Sequence, residues 1–365
     1  MPRLQPALIH HAGRISPHLA ALLPACRTVD AARNELRWIR EHARESGVAV
    51  TRLVAHRAAG IPLQYVLGSQ PFADLHILCR RGVLIPRPET EAWASLLADL
   101  LFSSSSSART GLRVLDICSG TGCIGLSLFA RGTRYGARVF GLDISALAVR
   151  LARRNLLRNF RGLDLGYEAV TFRRADIFRD DWMAWLGDAL GGNRARRVDV
   201  LVSNPPYISR RGFDVHTGRS VRNHEPKIAL VPVEGSYASA SCAPEDVFYA
   251  RLLDIADALR PRVAVFEVGD MAQAVRVVEM VLARAAVDRR DDDGERTAAR
   301  WEVVEVWRDW PDCLPSENEE DTLFVSGREV PIRGSGHGRV VFLAETNMIR
   351  NRFTNKGFRR EVYTG

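Results

Sequence analysis

Four residues behind an apolar segment have the types and order that could hold a nitrogen nucleophile. They are Asn204, Pro205, Pro206 and Tyr207, in the stretch LVSNPPYIS (201–209). Proline fixes φ and donates no backbone hydrogen bond, so the pair should end a buried strand and keep the following atoms rigid. The side-chain oxygen of Asn204 and the carbonyl oxygen of Pro205 could accept both N–H groups of a planar amide or ring amine. The sequence therefore predicts a site for a planar nitrogen at this corner.

The chemistry of such a nitrogen explains why acceptors are needed. Its lone pair is delocalised, and the nitrogen gains positive charge as it attacks, so two preorganised acceptors would stabilise the transition state. The ring of Tyr207 could stack on the flat group and fix its angle to the bond that breaks. Adenine N6, guanine N2 and glutamine N5 all fit, so the corner alone leaves the substrate open. A purely structural turn is the alternative interpretation.

A glycine turn and two acids precede the corner in the sequence. The turn is DICSGTGCIG (116–125), in which Gly120 and Gly122 would let a ligand approach the backbone in front of a helix N-terminus. Asp143 ends the next predicted strand, where its carboxylate could accept both hydroxyls of a ribose. Asp116 stands before the glycines, where it could orient the turn or meet a cationic amine.

The charges around this turn favour a positively charged ligand without phosphate. The turn contains no lysine or arginine, and S-adenosylmethionine, with its sulfonium and amino groups, fits that requirement. Asp176 and Ile177 follow a third predicted strand, where the acid could bond the adenine amine and the apolar side chain could cover the ring. A helix-capping carboxylate is the alternative for Asp116 or Asp176 taken singly. Asp116, the glycine turn, Asp143 and the pair Asp176 and Ile177 follow one another in this order along the chain. Together they predict S-adenosylmethionine as the methyl donor.

Alternating strands and helices must position these residues. Apolar segments at 112–117, 138–144, 198–203 and 262–268 predict strands, with helices between them, which is typical of a doubly wound and mostly parallel sheet. Before them, residues 30–59 show helical periodicity, and a helix should begin near Pro88. The serine run at 103–107 is the predicted domain boundary. The segments near 191–197, 288–300 and 315–337 are predicted to be solvated insertions.

Composition limits the class of protein. The 365 residues are 46% hydrophobic and 26% charged, as in an ordinary soluble globular protein, and no apolar run is long enough to predict a membrane span. The six cysteines show no spacing typical of a zinc site, so no metal is expected. The net charge of +8 fits either an arginine-rich surface or a partner associated with nucleic acid.

Both ends of the chain are basic. The first 29 residues contain no acid, and we predict an organelle-import segment there, with an ordinary basic helix as the alternative. Residues 349–365 are also basic and are expected to lie outside the catalytic core, as an arm that touches a partner or as a solvated tail.

Several motifs together resemble one known family. They are IPLQYVLGSQPF (61–72), VLIPRPETE (83–91), DICSGTGCIGLSL, GLDIS, SNPPYIS, HEPKIAL (224–230) and FEVG (266–269). This set is similar to the PrmC/HemK family, the protein-(glutamine-N5) methyltransferases of peptide-chain release factors. The resemblance implies a seven-stranded Rossmann-like S-adenosylmethionine-dependent methyltransferase fold with a small helical N-terminal domain. We therefore expect a targeting segment at 1–29, a helical substrate-binding domain with a linker hairpin at 30–102, a methyltransferase domain at 108–348 and a basic tail at 349–365.

The resemblance also implies roles for individual residues. Donor contacts are expected from Cys118, Ser119, Gly120, Thr121, Gly122, Asp143, Ile177 and Asn204. The substrate glutamine, in a Gly-Gly-Gln motif, would be held by Asn204, Pro205, Pro206 and Tyr207, with Arg87, Pro88, Glu89 and Thr90 close by. The sequence departs from the family at Cys118, where a glycine is usual. The long insertions and the basic start suit a eukaryotic organellar member, so a mitochondrial release factor near the ribosome, in the matrix rather than the cytoplasm, is the expected partner.

Two other functions compete with this one. A nucleic-acid amino-methyltransferase would also use SNPPY and would suit the positive charge, although it needs a base-flipping pocket and a basic groove. An inactive RNA- or ribosome-binding module would not need Asp116, Asp143 and Asn204, which are all intact. We expect a protein substrate, with neither DNA nor a membrane as a direct partner.

Overall fold

The computed structural model describes residues 4–102, 110–162, 169–191, 197–233, 241–286 and 300–345. Five helices form the N-terminal part: α1 (Pro6–Ile15), α2 (Pro17–Cys26), α3 (Val29–Ser46), α4 (Val50–Ala58) and α5 (Leu63–Leu67). Helix α3 begins where the Thr28 hydroxyl accepts the Ala31 N–H, and it ends at Gly47, whose φ is 72°. The apolar faces of these helices enclose one small core.

The start of this helical domain differs from the prediction. Leu19, Leu22 and Leu23 of α2 are buried in the same core as Leu36 and Ile39 of α3. The domain therefore begins at or before α1 and not at residue 30. An import segment that ended at residue 29 would have to include two helices of this core.

A hairpin and a long helix connect this part to the sheet. The hairpin pairs β1 (Ser69–Phe72) with β2 (Leu75–Leu78), as the linker prediction expected, and α6 (Pro88–Phe102) starts at the predicted proline. The buried side chains of Trp93 and Leu97 place α6 in the core of the sheet. The domain boundary therefore lies before α6 and not at the serine run, because α6 packs against the sheet that follows it.

The main sheet has nine strands in the order β5-β4-β3-β6-β7-β11-β8-β10-β9. Their bounds are β3 (Arg113–Ile117), β4 (Arg138–Asp143), β5 (Val170–Arg174), β6 (Val200–Ser203), β7 (Val263–Glu267), β8 (Val303–Trp310), β9 (Thr322–Val325), β10 (Arg328–Arg333) and β11 (Ser335–Ala344). Strands β3 to β7 are parallel to one another, and β11 runs antiparallel between β7 and β8. Every residue of β6 and β7 is buried, as expected for central parallel strands.

Helices cover both faces of the sheet. Their bounds are α7 (Cys123–Gly132), α8 (Ala146–Asn159), α9 (Asp181–Ala189), α10 (Arg210–Val215), α11 (Arg219–His224), α12 (Val247–Leu259) and α13 (Met271–Ala286). Helices α6, α7 and α8 pack on one face, and α9, α12 and α13 pack on the other. This arrangement confirms the predicted α/β fold. None of the described helices is both long and apolar enough to cross a membrane.

The sheet is wider than the predicted seven strands. Strands β9 and β10 lie in the segment 315–337, where we expected a solvated loop. Their inward side chains Val325, Val330 and Ile332 are buried at the edge beyond β8. The other predicted insertions, the serine run and the tail 349–365 lie almost entirely outside the described ranges.

Candidate active site

The carboxyl ends of β3, β4, β5 and β6 open into one cavity of about 300 Å³. Ligands bind at this edge in open α/β sheets, because loops diverge there between neighbouring strands. The cavity wall brings together most of the predicted residues, namely Arg87, Thr90, Cys118, Ser119, Gly120, Thr121, Asp143, Asp176, Ile177, Asn204 and Pro206. The wall does not include the predicted residues Glu89, Asp116, Gly122, Pro205 and Tyr207.

The two glycines of the turn have different functions. Both have positive φ, 53° at Gly120 and 79° at Gly122. A Cβ on Gly120 would meet no atom closer than 4.0 Å, whereas a Cβ on Gly122 would lie 2.8 Å from the ring of Phe172. Gly120 therefore has open space beside it, and its contact with a ligand stays a prediction. A glycine at position 122 lets the start of α7 pack against β5, and its contact with a ligand also stays a prediction.

Cys118 adopts a backbone conformation that favours glycine. Its φ is 61°, in the left-handed region, where an L-residue with a Cβ is disfavoured by about 1–2 kcal/mol. This strain arises because a residue with a Cβ occupies a backbone conformation that only glycine adopts freely. The residue still lies on the cavity wall.

Asp143 connects the turn to the next helix. Its Oδ2 accepts the Gly120 N–H at 2.8 Å, and its Oδ1 accepts the Ser145 N–H at 2.8 Å. Burial raises the pKa of Asp143, and the two hydrogen bonds oppose that shift. Each carboxylate oxygen keeps further lone pairs at the cavity wall, so the side chain could also accept two ligand hydroxyls.

Asp116 is fully buried beneath the turn. Its Oδ2 accepts the N–H of Gly125, in the first turn of α7, at 3.0 Å. Its Oδ1 has no hydrogen-bond partner among the described residues. Of the two roles predicted for Asp116, the contacts show the orientation of the turn, while a contact with a cationic amine stays a prediction. Burial raises the pKa of Asp116 to about 7, and the nearby Asp143 carboxylate adds to that shift.

This raised pKa predicts a pH-dependent cost to stability. An ordinary aspartate is ionised above about pH 4, so between that pH and about 7 the folded protein holds a proton that the unfolded chain has released. Stability should therefore fall as pH rises through this window. Asp116→Asn keeps the acceptor for Gly125 and removes the ionisation. From about pH 5.5 to about pH 8, the free energy of unfolding of the variant should gain about 1–2 kcal/mol relative to the native protein.

Denaturant unfolding of both proteins at the two pH values, without ligand, measures this difference. The same difference at both pH values would show that Asp116 does not titrate in this range.

The end of β5 forms an apolar slot beside the turn. Ile177, Phe178 and Phe248 line it, and the two phenyl rings meet edge to face with their centroids 4.9 Å apart. The Oδ1 of Asp176 accepts the Phe178 N–H at 3.0 Å. The slot could hold a flat heterocycle with an acceptor at its edge. Phe248 comes from α12 and was missed, because nothing local in the sequence links it to the strand ends.

The Asn-Pro-Pro-Tyr corner follows β6 directly. The Asn204 Nδ2 lies 3.3 Å from the Thr90 Oγ1, to which it donates, and both residues reach the cavity wall. Pro205 and Pro206 are buried. The Tyr207 hydroxyl donates to the Glu267 Oε1 at 3.1 Å, while its ring lies so close to Gly269 that a Cβ there would be 3.2 Å from it.

Glu267, at the end of β7, belongs to the FEVG motif, but the sequence analysis assigned no role to it. It is buried, and its Oε2 accepts from the Thr90 hydroxyl at 2.7 Å and from the Trp93 indole N–H at 2.8 Å. Burial raises the pKa of Glu267, and the hydrogen bonds from Thr90, Trp93 and Tyr207 oppose that shift. The sequence offered two signals, the FEVG motif and an acid at the end of an otherwise apolar strand, and neither indicated the partners of Glu267.

A second buried acid holds the loop before α6. The Glu225 Oε1 accepts from the Arg87 Nη2 at 2.8 Å, and its Oε2 accepts the Ile85 N–H at 3.0 Å. These bonds fix Arg87 at the cavity wall. Glu89 lies off the wall in the first turn of α6, where a negative charge favours the helix N-terminus. Among the described residues, no group of three or more His, Cys, Asp or Glu side chains could hold a metal ion.

Comparisons with known proteins identify a family model and several relatives. The family model described as the methyltransferase small domain matches residues 94–224. The mitochondrial MRF1 N(5)-glutamine methyltransferase MTQ1 of Saccharomyces cerevisiae is 36% identical over 234 residues, which are 63% of this chain and 68% of the relative. The probable MRF1 mitochondrial N(5)-glutamine methyltransferase mtq1 of Schizosaccharomyces pombe is 33% identical over 241 residues, which are 61% of this chain and 71% of the relative.

A solved structure, the N-terminal domain of human METTL16 in complex with SAH, is 16% identical with a TM-score of 0.43, over 80% of this chain and 83% of that one. A likeness at that level carries no argument about function. The two yeast relatives, in contrast, are matched over more than two thirds of their length at more than 30% identity. The chain therefore belongs to the family of release factor N(5)-glutamine methyltransferases.

Proposed function

We propose that this protein uses S-adenosylmethionine to methylate the side-chain nitrogen N5 of the glutamine in the Gly-Gly-Gln motif of a mitochondrial release factor. One observation carries the proposal. The Asn204 amide, bonded through its nitrogen to Thr90, lies on the wall of the same cavity that holds Gly120, Asp143 and Ile177. In this proposal the methyl-donor site and the acceptor for a planar nitrogen would be adjacent.

The residues of the wall fit this donor. Asp143 retains lone pairs for the ribose hydroxyls, and the slot of Ile177, Phe178 and Phe248 suits an adenine ring. The Ser119 Oγ is buried at the wall without a hydrogen-bond partner among the described residues, as expected for a hydroxyl that bonds a ligand. We propose these contacts, together with Cys118, Thr121 and Asp176, as the donor site.

Asn204 and Pro205 would hold the substrate nitrogen in its reactive orientation. The bound donor supplies a methyl group attached to positively charged sulfur. The Asn204 Oδ1 and the Pro205 carbonyl would accept the two N–H hydrogens of the glutamine amide and stabilise the positive charge that its nitrogen acquires. The nitrogen becomes acidic only as its bond to the methyl carbon forms, and it then loses one proton to solvent. No general base is therefore needed before attack. Tyr207, held by Glu267, would position the flat amide, and Pro206 and Arg87 would border it.

The proposed partner follows from the family and from the charge of the chain. Both yeast relatives are named for a mitochondrial MRF1 substrate. The net charge of +8 suits a partner that works close to RNA. We therefore propose the mitochondrial matrix as the location and a matrix release factor as the substrate. Proximity to the ribosome would follow from the role of that substrate.

A test of mitochondrial import has to take into account that α1 and α2 belong to the core of the helical domain. The full chain with a fluorescent protein at its C-terminus should localise to mitochondria. If a segment is cleaved, the new N-terminus should lie before α1, since removal of α1 and α2 would take away Leu22 and Leu23 and expose the apolar face of α3 at Leu36. Sequencing the N-terminus of the imported protein measures this. A diffuse cytosolic signal would contradict the location, and a mature N-terminus near residue 30 would contradict the role of these helices.

The acceptor class can be tested directly. Labelled S-adenosylmethionine is incubated with the protein and, in separate reactions, with intact release factor, release factor whose Gly-Gly-Gln glutamine is replaced, DNA and RNA. We expect label on the intact release factor alone. Label on nucleic acid and none on protein would instead support the amino-methyltransferase alternative.

A further inference from the structure

Glu267 gathers three hydrogen-bond donors behind the corner. Thr90 and Trp93, both from α6, donate to its Oε2 at 2.7 and 2.8 Å, and Tyr207 donates to its Oε1 at 3.1 Å. Glu267 and Thr90 are 1% and 2% exposed, so water does not compete for these groups. The Oε2 accepts from the Trp93 indole N–H, which can only donate, and from the Thr90 hydroxyl, while the Oε1 accepts from Tyr207.

The direction of the Thr90 bond determines the orientation of Asn204. A threonine hydroxyl has one proton, and Thr90 donates that proton to Glu267. Its oxygen can therefore only accept at its other contact, 3.3 Å away, where the Asn204 amide lies. The amide group at that contact must be the Nδ2, which donates. The Oδ1 of Asn204 is consequently turned away from Thr90.

We propose that Glu267 is a positioning residue that orients the Asn204 amide through the hydroxyl of Thr90. The inference rests on the proposed function, in which the Oδ1 of Asn204 accepts a hydrogen of the substrate nitrogen. A reversed amide would present its own N–H groups to the N–H groups of the substrate, and no hydrogen bond would form. Because Glu267 does not line the cavity, its effect should fall on turnover and not on donor binding.

Substitution of Glu267 separates its hydrogen bonding from its packing. Glu267→Leu removes every acceptor, so the Thr90 hydroxyl would turn to the remaining nearby acceptor, the Asn204 oxygen, and reverse the amide. We expect kcat to fall about 10–100-fold, with donor affinity unchanged. Glu267→Gln keeps an oxygen that can accept from Thr90 and Trp93, and it should recover most of the lost rate.

A matched control lies two strands away. Glu305 on β8 is 6% exposed and accepts from the Trp307 indole N–H at 2.8 Å. Like Glu267, it is a buried glutamate bonded to a tryptophan indole, but it lies away from the corner. Glu305→Leu should change stability and leave kcat unchanged. Thr90→Val supplies a second test, because it breaks the connection and leaves Glu267 intact. It should lower kcat like Glu267→Leu, while Thr90→Ser should restore most of the rate.

The measurements are kcat and KM for a release factor fragment containing Gly-Gly-Gln, together with donor affinity and melting temperature. Native kcat in Thr90→Val would overturn the proposal, whether or not Glu267→Leu folds. An equal loss in Glu267→Leu and Glu305→Leu would do the same.

Amide NMR separates this inference from the proposed function. The Asn204 side-chain amide signals, identified by their loss in Asn204→Ala, can be observed without any substrate. They should shift in Thr90→Val and Glu267→Leu but not in Glu305→Leu. If the native enzyme methylates no release factor, the proposed function fails while these shifts still support the orientation. Unshifted signals in Thr90→Val would refute the orientation itself.

Discussion

Replacement of Asn204 by alanine should lower the methylation rate by about 10²–10³, with donor affinity changed much less. The variant loses the Oδ1 acceptor that would bind the substrate nitrogen where positive charge develops. It also loses the Nδ2 group that donates to the Thr90 hydroxyl. The Thr90 side chain should stay in place, because its hydroxyl still donates to Glu267 at 2.7 Å. The buried prolines that follow should keep the backbone in place. The loss should therefore appear in kcat under saturating donor.

Asn159→Ala is the matched control. Asn159 ends α8, and its amide also makes several hydrogen bonds, to the hairpin residue His76 and to Asn155. It does not line the cavity, so turnover should stay close to native. Near-native turnover in Asn204→Ala would show that the corner is structural.

Replacement of Asp143 by alanine should weaken donor binding by about 1.5–3 kcal/mol, the scale of hydrogen bonds to a charged group. Two effects contribute in the same direction. The ribose hydroxyls lose their acceptor, and the turn loses the carboxylate that accepts the Gly120 and Ser145 N–H groups at 2.8 Å. Calorimetric titration with S-adenosylmethionine gives the dissociation constant, which should rise about 10- to 150-fold.

Asp199→Ala provides the comparison. Asp199 also accepts a backbone N–H, from Arg113 at 2.8 Å, but it precedes β6 and so lies at the opposite edge of the sheet. Its loss should leave donor affinity unchanged. Unchanged affinity in Asp143→Ala would remove Asp143 from the donor site. Equal weakening in both variants would show that sheet stability, not a ligand contact, is measured.

The residues at the strand ends were predictable because their positions follow from local patterns. Buried apolar runs end at polar residues, and a parallel sheet brings those ends to one edge. The turn at Gly120, the acids Asp143 and Asp176 and the corner at Asn204 all reach the cavity for that reason. The side chain of Asp116 was harder to place, because one position on a strand can face the turn or the ligand.

The supporting residues depend on contacts across the fold. Glu267 bonds Thr90 and Trp93 across more than 170 positions, and Glu225 bonds Arg87 across 138. No local spacing reveals such pairs, since an acid at the end of a strand is common and its partner comes from another element. The glycine pattern was similarly ambiguous. Only the position of Phe172 on β5 shows that Gly122 is needed for packing.

The boundary errors also have physical causes. Helices α1 and α2 look like an import segment because they are basic and lack acids, yet their leucines complete the core of the helical domain. Strands β9 and β10 were hidden by charged and turn-forming residues, because these outer strands bury only some of their side chains, such as Val330 and Ile332 on alternate positions of β10. The serine run suggested a linker, although α6 before it already packs on the sheet.

The central claim is that the corner directs a methyl group to a planar side-chain nitrogen. It is tested most directly by fragmentation mass spectrometry of a release factor treated with the enzyme and S-adenosylmethionine. We expect a single added methyl group on the glutamine of the Gly-Gly-Gln motif, at its side-chain nitrogen, and about 10²–10³-fold less of it in the same initial-rate period when the enzyme carries Asn204→Ala. A methyl group on a lysine, an arginine or a carboxylate of the release factor would contradict the account.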